Sequence, residues 1–521
     1  MSFDAPQGPP GSPARTDAPG GPLWALSGLV AAGASLGLSE LLAGAIGSFP
    51  SLVSGVAVWA IDTVPAPVKD WAIRTFGTSD KLVLGIGIVV VTLLVGAAVG
   101  VRSSVNRRLV SFAFLVFGLL AGVAASRDPQ VGLVIALAAG TVAALGGVAV
   151  FRLVARPLPE GRGVDADRRV FLGRAGAAAT LALVSAVAGR ALFERSRVMA
   201  ARRGDVALPV ARDRAAPPAT GASLAVDGIS PLVTPNDDFY RIDTAPFSVP
   251  QVDLATWRLR VTGMVEREIE LTYEDLAALP MVERYVTLSC VSNTVGGDLV
   301  GTAKWLGTPL GELLTRAGVG DGAQQIVGRS VDGFTVGFPV DAAFDGREAL
   351  VAVGMNDEPL PFEHGFPARL VVAGLYGYVS ATKWLSEIEL TTWDGFDAYW
   401  IPRGWAKEAP VKTQSRIDTP RQRSRIRPGI TPIAGVAWAP TRGISRVEVR
   451  IDDGPWLEAA MADALDDDTW RQWMFSWEAT PGSHQILVRA TDGDGVTQTD
   501  AISRPDPDGA TGHHTITVDV V

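Results

Sequence analysis

Five long apolar runs, near residues 23–46, 82–101, 109–126, 131–154 and 170–193, constrain this 521-residue chain more than any other feature. Most reach the roughly 18–20 residues that carry a helix across a bilayer, where the segment must satisfy its own backbone N–H and C=O groups. Charges within them are few: Glu40 in the first, Arg152 late in the fourth, Arg174 and Arg190 near the ends of the fifth. The runs also explain why 47% of the chain is hydrophobic and only 19% charged. The expected architecture therefore begins with an α-helical membrane bundle of five transmembrane helices over 22–193, in contact with lipid. A Pro-, Gly- and Ser-rich tail over 1–21 precedes it and lacks the large apolar groups that folding needs. "SLVSGVAVWAIDTVP" (51–65) is too short to span and reads as a re-entrant or interfacial piece. "VKDWAIRTF" (68–76) reads as an amphipathic surface helix.

Positive charge sets the expected orientation. Arg102, Arg107 and Arg108 lie between the second and third runs; Arg152, Arg156, Arg162, Arg168 and Arg169 lie between the fourth and fifth. With both loops cytoplasmic, five crossings put the N-terminus in the cytoplasm and everything after residue 193 outside it. "DRRVFLGRAG" (167–176) reads either as a positive flank or as a twin-arginine export signal, with Phe171 and Leu172 after the arginine pair. The export reading is favoured, and it implies that the following domain folds around its cofactor before export.

Residues 194–228, rich in Ala, Arg and Pro, read as a linker. From 229 the texture is that of a mixed α+β domain, expected to run to 430. "WRLRVTG" (257–263) alternates like a strand, "LTYEDLAALP" (271–280) opens a short helix capped by Thr272, and "RLVVAG" (369–374) is a buried strand. Over 431–521 short strands alternate with turns. "ISRVEVRIDDGPW" (444–456) bends at Asp453-Gly454, and "WMFSW" (473–477) puts Trp473, Phe475 and Trp477 on one face. That spacing suggests an immunoglobulin-like β-sandwich.

A formal net charge of −9, with no basic stripe, argues against a nucleic-acid partner. None of the four histidines (His364, His484, His513, His514) lies in an apolar run, which excludes an intramembrane bis-histidine haem. Cys290 is the single cysteine, so it has no disulfide partner within the chain. By itself it reads as an inert core residue, less readily as a hydrolase nucleophile paired with His364. As a thiolate it suits a transition metal of high sulfur affinity, provided a cofactor brings most of the ligands.

The neighbouring text goes further. "LSCVSN…VGTAKWLGTPLGELLTRAGV" (288–319) and "LVAVGMNDEPLPFEHGFPARLVVAGLYGYVSATKWLSEIEL" (350–390) resemble the sulfite oxidase family of molybdopterin-dependent oxidoreductases. "NDDFYRIDTAPFSVPQVDLATWRLRVTG" (236–263) is similar to that family's opening segment, and the last ninety or so residues to its dimerisation domain. The resemblance implies a sulfite-oxidase-type molybdopterin domain over 229–430, with Cys290 as the molybdenum thiolate. His364, Arg369 and Lys383 would contact the pterin, with Trp305 beside it and Asn293 in the cofactor-binding set, while Arg241 would line the pocket for a small anionic or oxo substrate. It further implies oxygen-atom transfer, one-electron transfer to a separate cytochrome or quinone-linked carrier, and a homodimer.

Two departures bear on the substrate. The family places arginines after the asparagine that follows its metal cysteine; here Asn293 is followed by Thr294 and Val295. Its active-site tyrosine falls near "YWIPRGW" (399–405), where Trp405 stands. Arg403, Lys407, Lys412 and Arg416 either restore that positive charge or form a solvated basic edge. Loss of the arginines raises the alternative of a sulfoxide-type reductase on the same cofactor. A membrane-tethered binding or assembly protein without catalysis is the alternative from another class. Glu40 is read either as a proton or partner site or as a helix-packing carboxyl.

Overall fold

The computed structural model describes residues 21–46, 51–65, 68, 71–72, 75–76, 79–103, 106, 108–127, 131–156, 164–200, 206–244, 249–250 and 252–521. The expected tail over 1–21 lies outside them save for Gly21, and the surface helix at 68–76 is only partly among them. The chain divides into two compact units, Met1–Val198 and Met199–Val521.

In the first unit the apolar runs become α1 (Gly21–Ala45), α3 (Asp80–Ser103), α4 (Arg108–Ala125), α5 (Leu133–Val154) and α6 (Val164–Ala200). Among the described residues these are the five helices long and apolar enough to cross a membrane. The short piece is α2 (Leu52–Thr63), begun by the Ser51 hydroxyl accepting from Ser54 N–H. Its 12 residues rise about 18 Å, short of the roughly 30 Å hydrocarbon core. Ser51 Oγ donates to Glu40 Oε1 at 2.7 Å, which ties α2 to α1 and gives the Glu40 carboxylate a structural contact. Small residues let the helices meet: a Cβ at Gly28 of α1 would fall 2.0 Å from the carbonyl oxygen of Gly96 in α3. Arg168 and Arg169 are exposed within α6, continuous with the apolar segment they precede.

The second unit holds four sheets. One runs β2 (Ile269–Leu271), β1 (Leu259–Gly263), β10 (Leu385–Thr391), β5 (Gln325–Ser330), β6 (Thr335–Pro339), with β1 and β10 parallel. Another runs β3 (Val282–Ser289), β4 (Val300–Pro309), β7 (Ala349–Met355), β8 (Glu358–Pro359), with β9 (Arg369–Val372) also on β7. Between them pack α7 (Tyr273–Ala277), α8 (Leu310–Ala317) and α9 (Gly377–Ser380). Helix α7 starts as the Thr272 reading requires: the hydroxyl accepts from Asp275 N–H, and the Asp275 carboxylate accepts from Thr272 N–H. On α8, Leu310, Leu313, Leu314 and Ala317 share the buried face, the spacing of one helical stripe.

The remaining sheets form a sandwich. One is β11 (Gln414–Thr419), β13 (Gly429–Trp438), β17 (Arg471–Ala479), β16 (Ala460–Met461); the other is β12 (Arg425–Ile426), β19 (His514–Val520), β18 (Gly482–Asp492), β14 (Ile444–Ile451), β15 (Leu457–Glu458). Ile433 and Trp473 from the first meet Val447, Ile486 and Val518 from the second, all fully buried. Trp477 is buried beside Trp473, with Phe475 partly packed on the same core.

Two sequence boundaries shift. The sandwich begins near residue 414 rather than 431, because β11 and β12 already pair within its sheets. The stretch expected as a linker is, from residue 206, packed onto the second unit. Arg212 N–H donates to Met281 O at 2.8 Å, Leu224 N–H donates to Gln472 Oε1 at 2.7 Å, and Ala222 is buried.

Candidate functional site

Strands β3 and β4 pair without slip from Val282↔Gly307 to Ser289↔Val300, and Cys290 is the first residue beyond that ladder. Its N–H donates to Leu299 O at 2.9 Å, which closes the connecting loop and fixes the thiol at the sheet end. Asn293 Oδ1 accepts from Leu299 N–H at 3.0 Å, so this side chain braces the loop and is absent from the cleft wall. Cys290, 7% exposed, lies in the wall of a solvent-open cleft. Burial pushes its pKa up, against hydrogen bonding from Ser292.

His364, Arg369 and Lys383 all line the cleft. His364 ends a short 3₁₀ turn, and its Nε2 lies 3.1 Å from Asn236 O. Burial, reinforced by the Arg369 charge, pulls its pKa down to about 4, so the ring is neutral at physiological pH. Gly365 follows at φ +114°, a conformation side chains rarely adopt, and a Cβ there would meet Lys383 Cα and Arg369 Cβ at 3.0–3.1 Å. The glycine thus lets His364, Arg369 and Lys383 converge. Arg369, at the start of β9, is buried; its Nη1 donates to His364 O at 3.1 Å and its guanidinium lies 4.9 Å from the Trp305 ring centroid. No carboxylate pairs with it among the described residues, and burial pushes its pKa down to about 10. Trp305 stands behind the wall, fully buried, donating through Nε1 to Val286 O at 3.2 Å. Lys383 donates to Glu363 O at 3.0 Å and to Asp243 Oδ2 at 3.1 Å, and burial holds its pKa near 8 against the attraction of Asp243.

Arg241 falls outside the group. Its side chain is 43% exposed and its Nε donates to the same Asp243 carboxylate at 2.8 Å. It does not line the cleft. The Asp243 side chain, 2% exposed and shared by Arg241 and Lys383, carries no sequence signal, since its partner Lys383 lies 140 residues away.

Much of the remaining lining is aromatic. Tyr378 meets Trp405 at 5.7 Å between centroids, Trp405 meets Trp400 at 6.2 Å, and Phe334 contributes from the β5–β6 turn with Asp332 beside it. Tyr240 lines the cleft too, stacked on Phe239 at 5.2 Å, and burial raises its phenol pKa far above the usual value. Of these, only Trp405 was singled out from the sequence.

Arg403, Lys407, Lys412 and Arg416, read either as restoring the missing positive charge or as a solvated basic edge, do not line the cleft. Lys407 donates to Asp397 at 2.9 Å and to two backbone carbonyls; Lys412 donates to Asp508 at 2.9 Å and Gly509 O at 2.7 Å. Arg403 lies 3.7 Å from the Tyr399 ring centroid. Arg416 is neither a cleft residue nor a solvated edge. Buried, it donates to Gly297 O at 2.8 Å, to Ser230 Oγ at 2.8 Å and to Asp418 at 2.6 Å. His514 of β19 packs its ring on Gly296, close enough that a Cβ there would lie 2.1 Å from Cδ2. The loop bearing Thr294 and Val295 is therefore held against the sandwich, and neither residue lines the cleft.

Known proteins resemble this arrangement. Residues 246–400 match the family described as "Oxidoreductase molybdopterin binding domain". Mitochondrial sulfite oxidase of Homo sapiens is 28% identical over 320 residues, covering 52% of this chain and 58% of the human protein. The uncharacterized oxidoreductase YuiH of Bacillus subtilis is 33% identical over 153 residues, 29% of this chain and 74% of that protein. The crystal structure of the sulfane dehydrogenase SoxCD from Paracoccus pantotrophus aligns with TM-score 0.49 and 22% identity, covering 57% of this chain and 85% of that chain. The chain thus spans just over half the length of the mitochondrial enzyme it matches.

Proposed function

Because the chain belongs to the sulfite-oxidase-type molybdopterin oxidoreductases, we propose that it is a membrane-anchored enzyme acting by oxygen-atom transfer at molybdenum. The observation that carries this reading is Arg369, a buried guanidinium with no carboxylate partner among the described residues, in the same cleft as the Cys290 thiol. A buried cation without its counter-charge is costly, and an anionic cofactor phosphate supplies that charge. The residues therefore fit the group. Cys290 would ligate the metal, Arg369 and Lys383 would take the phosphate and pterin, and neutral His364 would offer a hydrogen bond rather than a charge. Trp305 would back the Arg369 guanidinium, and Asn293 would act indirectly by holding the loop. When bound, the cofactor supplies two-electron oxygen-atom exchange with water, the electrons leaving singly to a separate cytochrome or quinone-linked carrier.

The N-terminus is assigned to the cytoplasm and the second unit to the opposite side, on the distribution of arginines around the apolar helices. Arg168 and Arg169 are assigned to twin-arginine export. The sandwich is assigned an immunoglobulin-like topology and a role in homodimer formation. The test is elemental analysis of full-length protein purified from a host that makes the cofactor. Molybdenum near one atom per chain, lost in Cys290→Ser, is expected. Wild-type protein without molybdenum would instead support a binding or assembly role.

A second reading concerns the substrate. Arg241 is paired with Asp243, Thr294 and Val295 do not line the cleft, and Phe334, Trp400, Trp405 and Tyr378 do, beside Asp332. That lining favours an uncharged, apolar-bodied substrate such as an aryl sulfoxide over a small oxyanion. Reduction would consume two electrons and two protons per sulfoxide and release the thioether and water. Steady-state kinetics with sulfite plus an electron acceptor, and with aryl sulfoxide plus a reduced dye, separate the two. A higher kcat/KM for sulfite would overturn this reading of the aromatic wall.

A further inference from the structure

The outer face of the β12–β19–β18–β14–β15 sheet carries a second cationic pocket, separate from the Cys290 cleft. Along β14, Val447 and Val449 point into the sandwich core, so Glu448 and Arg450 point outward; on β18, Arg489 does the same between Val488 and Ala490. Trp456, beyond the β14 turn, serves both arginines. Its ring centroid lies 5.0 Å from the Arg450 guanidinium carbon and 4.3 Å from that of Arg489. His513 closes the pocket edge-on to Trp456 at 5.3 Å, with Thr499 and Asp500 on the rim.

The decisive feature is what these groups lack. Arg450 has no hydrogen-bond acceptor and no carboxylate among the described residues, and its Nε is fully enclosed without a partner. Arg489 commits only Nε to a protein acceptor, Glu448 at 2.8 Å, which leaves its terminal nitrogens without one among the described residues. Arg446 shares that same Glu448 at 3.6 Å. Of the charged residues lining the pocket, Arg450 and Arg489 meet one carboxylate, the exposed Asp500, an excess of one positive charge. His513 Nε2 lies 3.0 Å from Gln498 O, leaving Nδ1 as the ring's remaining polar atom. The terminal nitrogens of Arg450 and Arg489, which meet no protein acceptor among the described residues, line the pocket and can donate to an acceptor from outside. Guanidiniums held against an indole are rigid, which favours an oxyanion able to take several N–H groups at once.

We propose that this pocket binds a small tetrahedral oxyanion of the sulfate or phosphate type. Arg450 and Arg489 donate to it, Trp456 orients both guanidiniums, and Asp500 opposes it. The site is independent of the cofactor reading, since none of its residues lines the Cys290 cleft. The experiment is isothermal titration of inorganic sulfate, and separately of inorganic phosphate, into the full chain in detergent at constant ionic strength with chloride as the balancing anion. Saturable uptake at one site is expected, weakened at least tenfold in Arg450→Gln and tightened severalfold in Asp500→Asn. Asp500 is exposed, so its variant keeps the test open should Arg450→Gln fold poorly. No saturable uptake by wild-type protein, or equal affinity in wild type and both variants, would overturn the site.

Discussion

Arg369 offers a test that separates a residue kept for structure from one kept for a ligand. Its guanidinium ionises near 10, more than two pH units below the usual arginine value, because burial removes water and no carboxylate among the described residues replaces it. At 1.36 kcal/mol per pH unit, that difference is about 3 kcal/mol of charge held against its preference in cofactor-free protein. Because the folded-state pKa lies below the unfolded value, the penalty is fully present at neutral pH and fades only above about pH 10. Against it stand the contact with Trp305, about 1–2 kcal/mol in a desolvated setting, and a hydrogen bond to His364 O that glutamine can partly keep. In cofactor-free protein, Arg369→Gln should therefore be as stable as wild type or up to about 2 kcal/mol more so, a midpoint rise of roughly 0–6 °C. In cofactor-loaded protein the order should reverse, since the variant loses its anion contact and wild type gains ligand stabilisation. Thermal unfolding followed by tryptophan fluorescence, with and without cofactor supply in the host, reads both. A variant several degrees less stable than wild type in both states would refute the argument and make Arg369 a structural residue.

Asp468, where the sandwich meets the catalytic sheets, is buried, and that burial, with the Asp466 charge, raises its pKa to about 6 from 3.8. The folded state then holds a proton that the unfolded state releases, so stability falls by about 3 kcal/mol as pH rises from about 4 through 6. Unfolding at stepped pH should show that slope in wild type and not in Asp468→Asn. Trp405→Ala should raise KM for an aryl sulfoxide roughly 5- to 30-fold by removing about 1–2 kcal/mol of stacking, with kcat and the unfolding midpoint nearly unchanged; steady-state kinetics check it. Arg416→Gln strands the buried Asp418 and should cost about 3 kcal/mol in the same unfolding assay, whereas Arg416→Met with Asp418→Leu should recover most of it.

What the sequence made legible was what is written locally or in one motif. Four of the apolar runs became helices within about two residues of their expected ends, and the fifth extends six to seven residues beyond its run at either end, into polar sequence. Thr272 and Asp275 specify a cap across three residues, and α7 starts there. "EHGFPAR" and "TKW" lead to residues that line one cleft, and Gly365, with no Cβ, lets Lys383 and Arg369 pack close to it. The rest depends on partners distant in the chain. Asp243 meets a lysine 140 residues away, and Arg416 reaches a carbonyl 119 residues back, distances at which no periodicity speaks. Strand β11 reads like the end of the catalytic domain because its partner, β13, lies beyond a turn-rich gap. The stretch from 206 to 228 resembles a linker because its Ala and Pro residues show no period. Scattered contacts hold it, among them buried Ala211 and Ala222, isolated hydrogen bonds and the Arg284–Asp213 ion pair, and no apolar face announces them.

The clamp on the loop after Cys290 has a consequence for how such a chain can change. Gly296 and Gly297 rest on His514 and Arg416, and Arg416 is in turn locked by Asp418 and Ser230. The thiol's position is thus underwritten by residues from both ends of the second unit. Shuffling that exchanges the sandwich for another β-domain would remove those supports along with the fold. A shortened chain ending near residue 430 would keep every cleft residue yet lose the histidine that backs the loop. The two folds are therefore a single heritable piece, in which substitutions in the sandwich register at a cysteine they never touch.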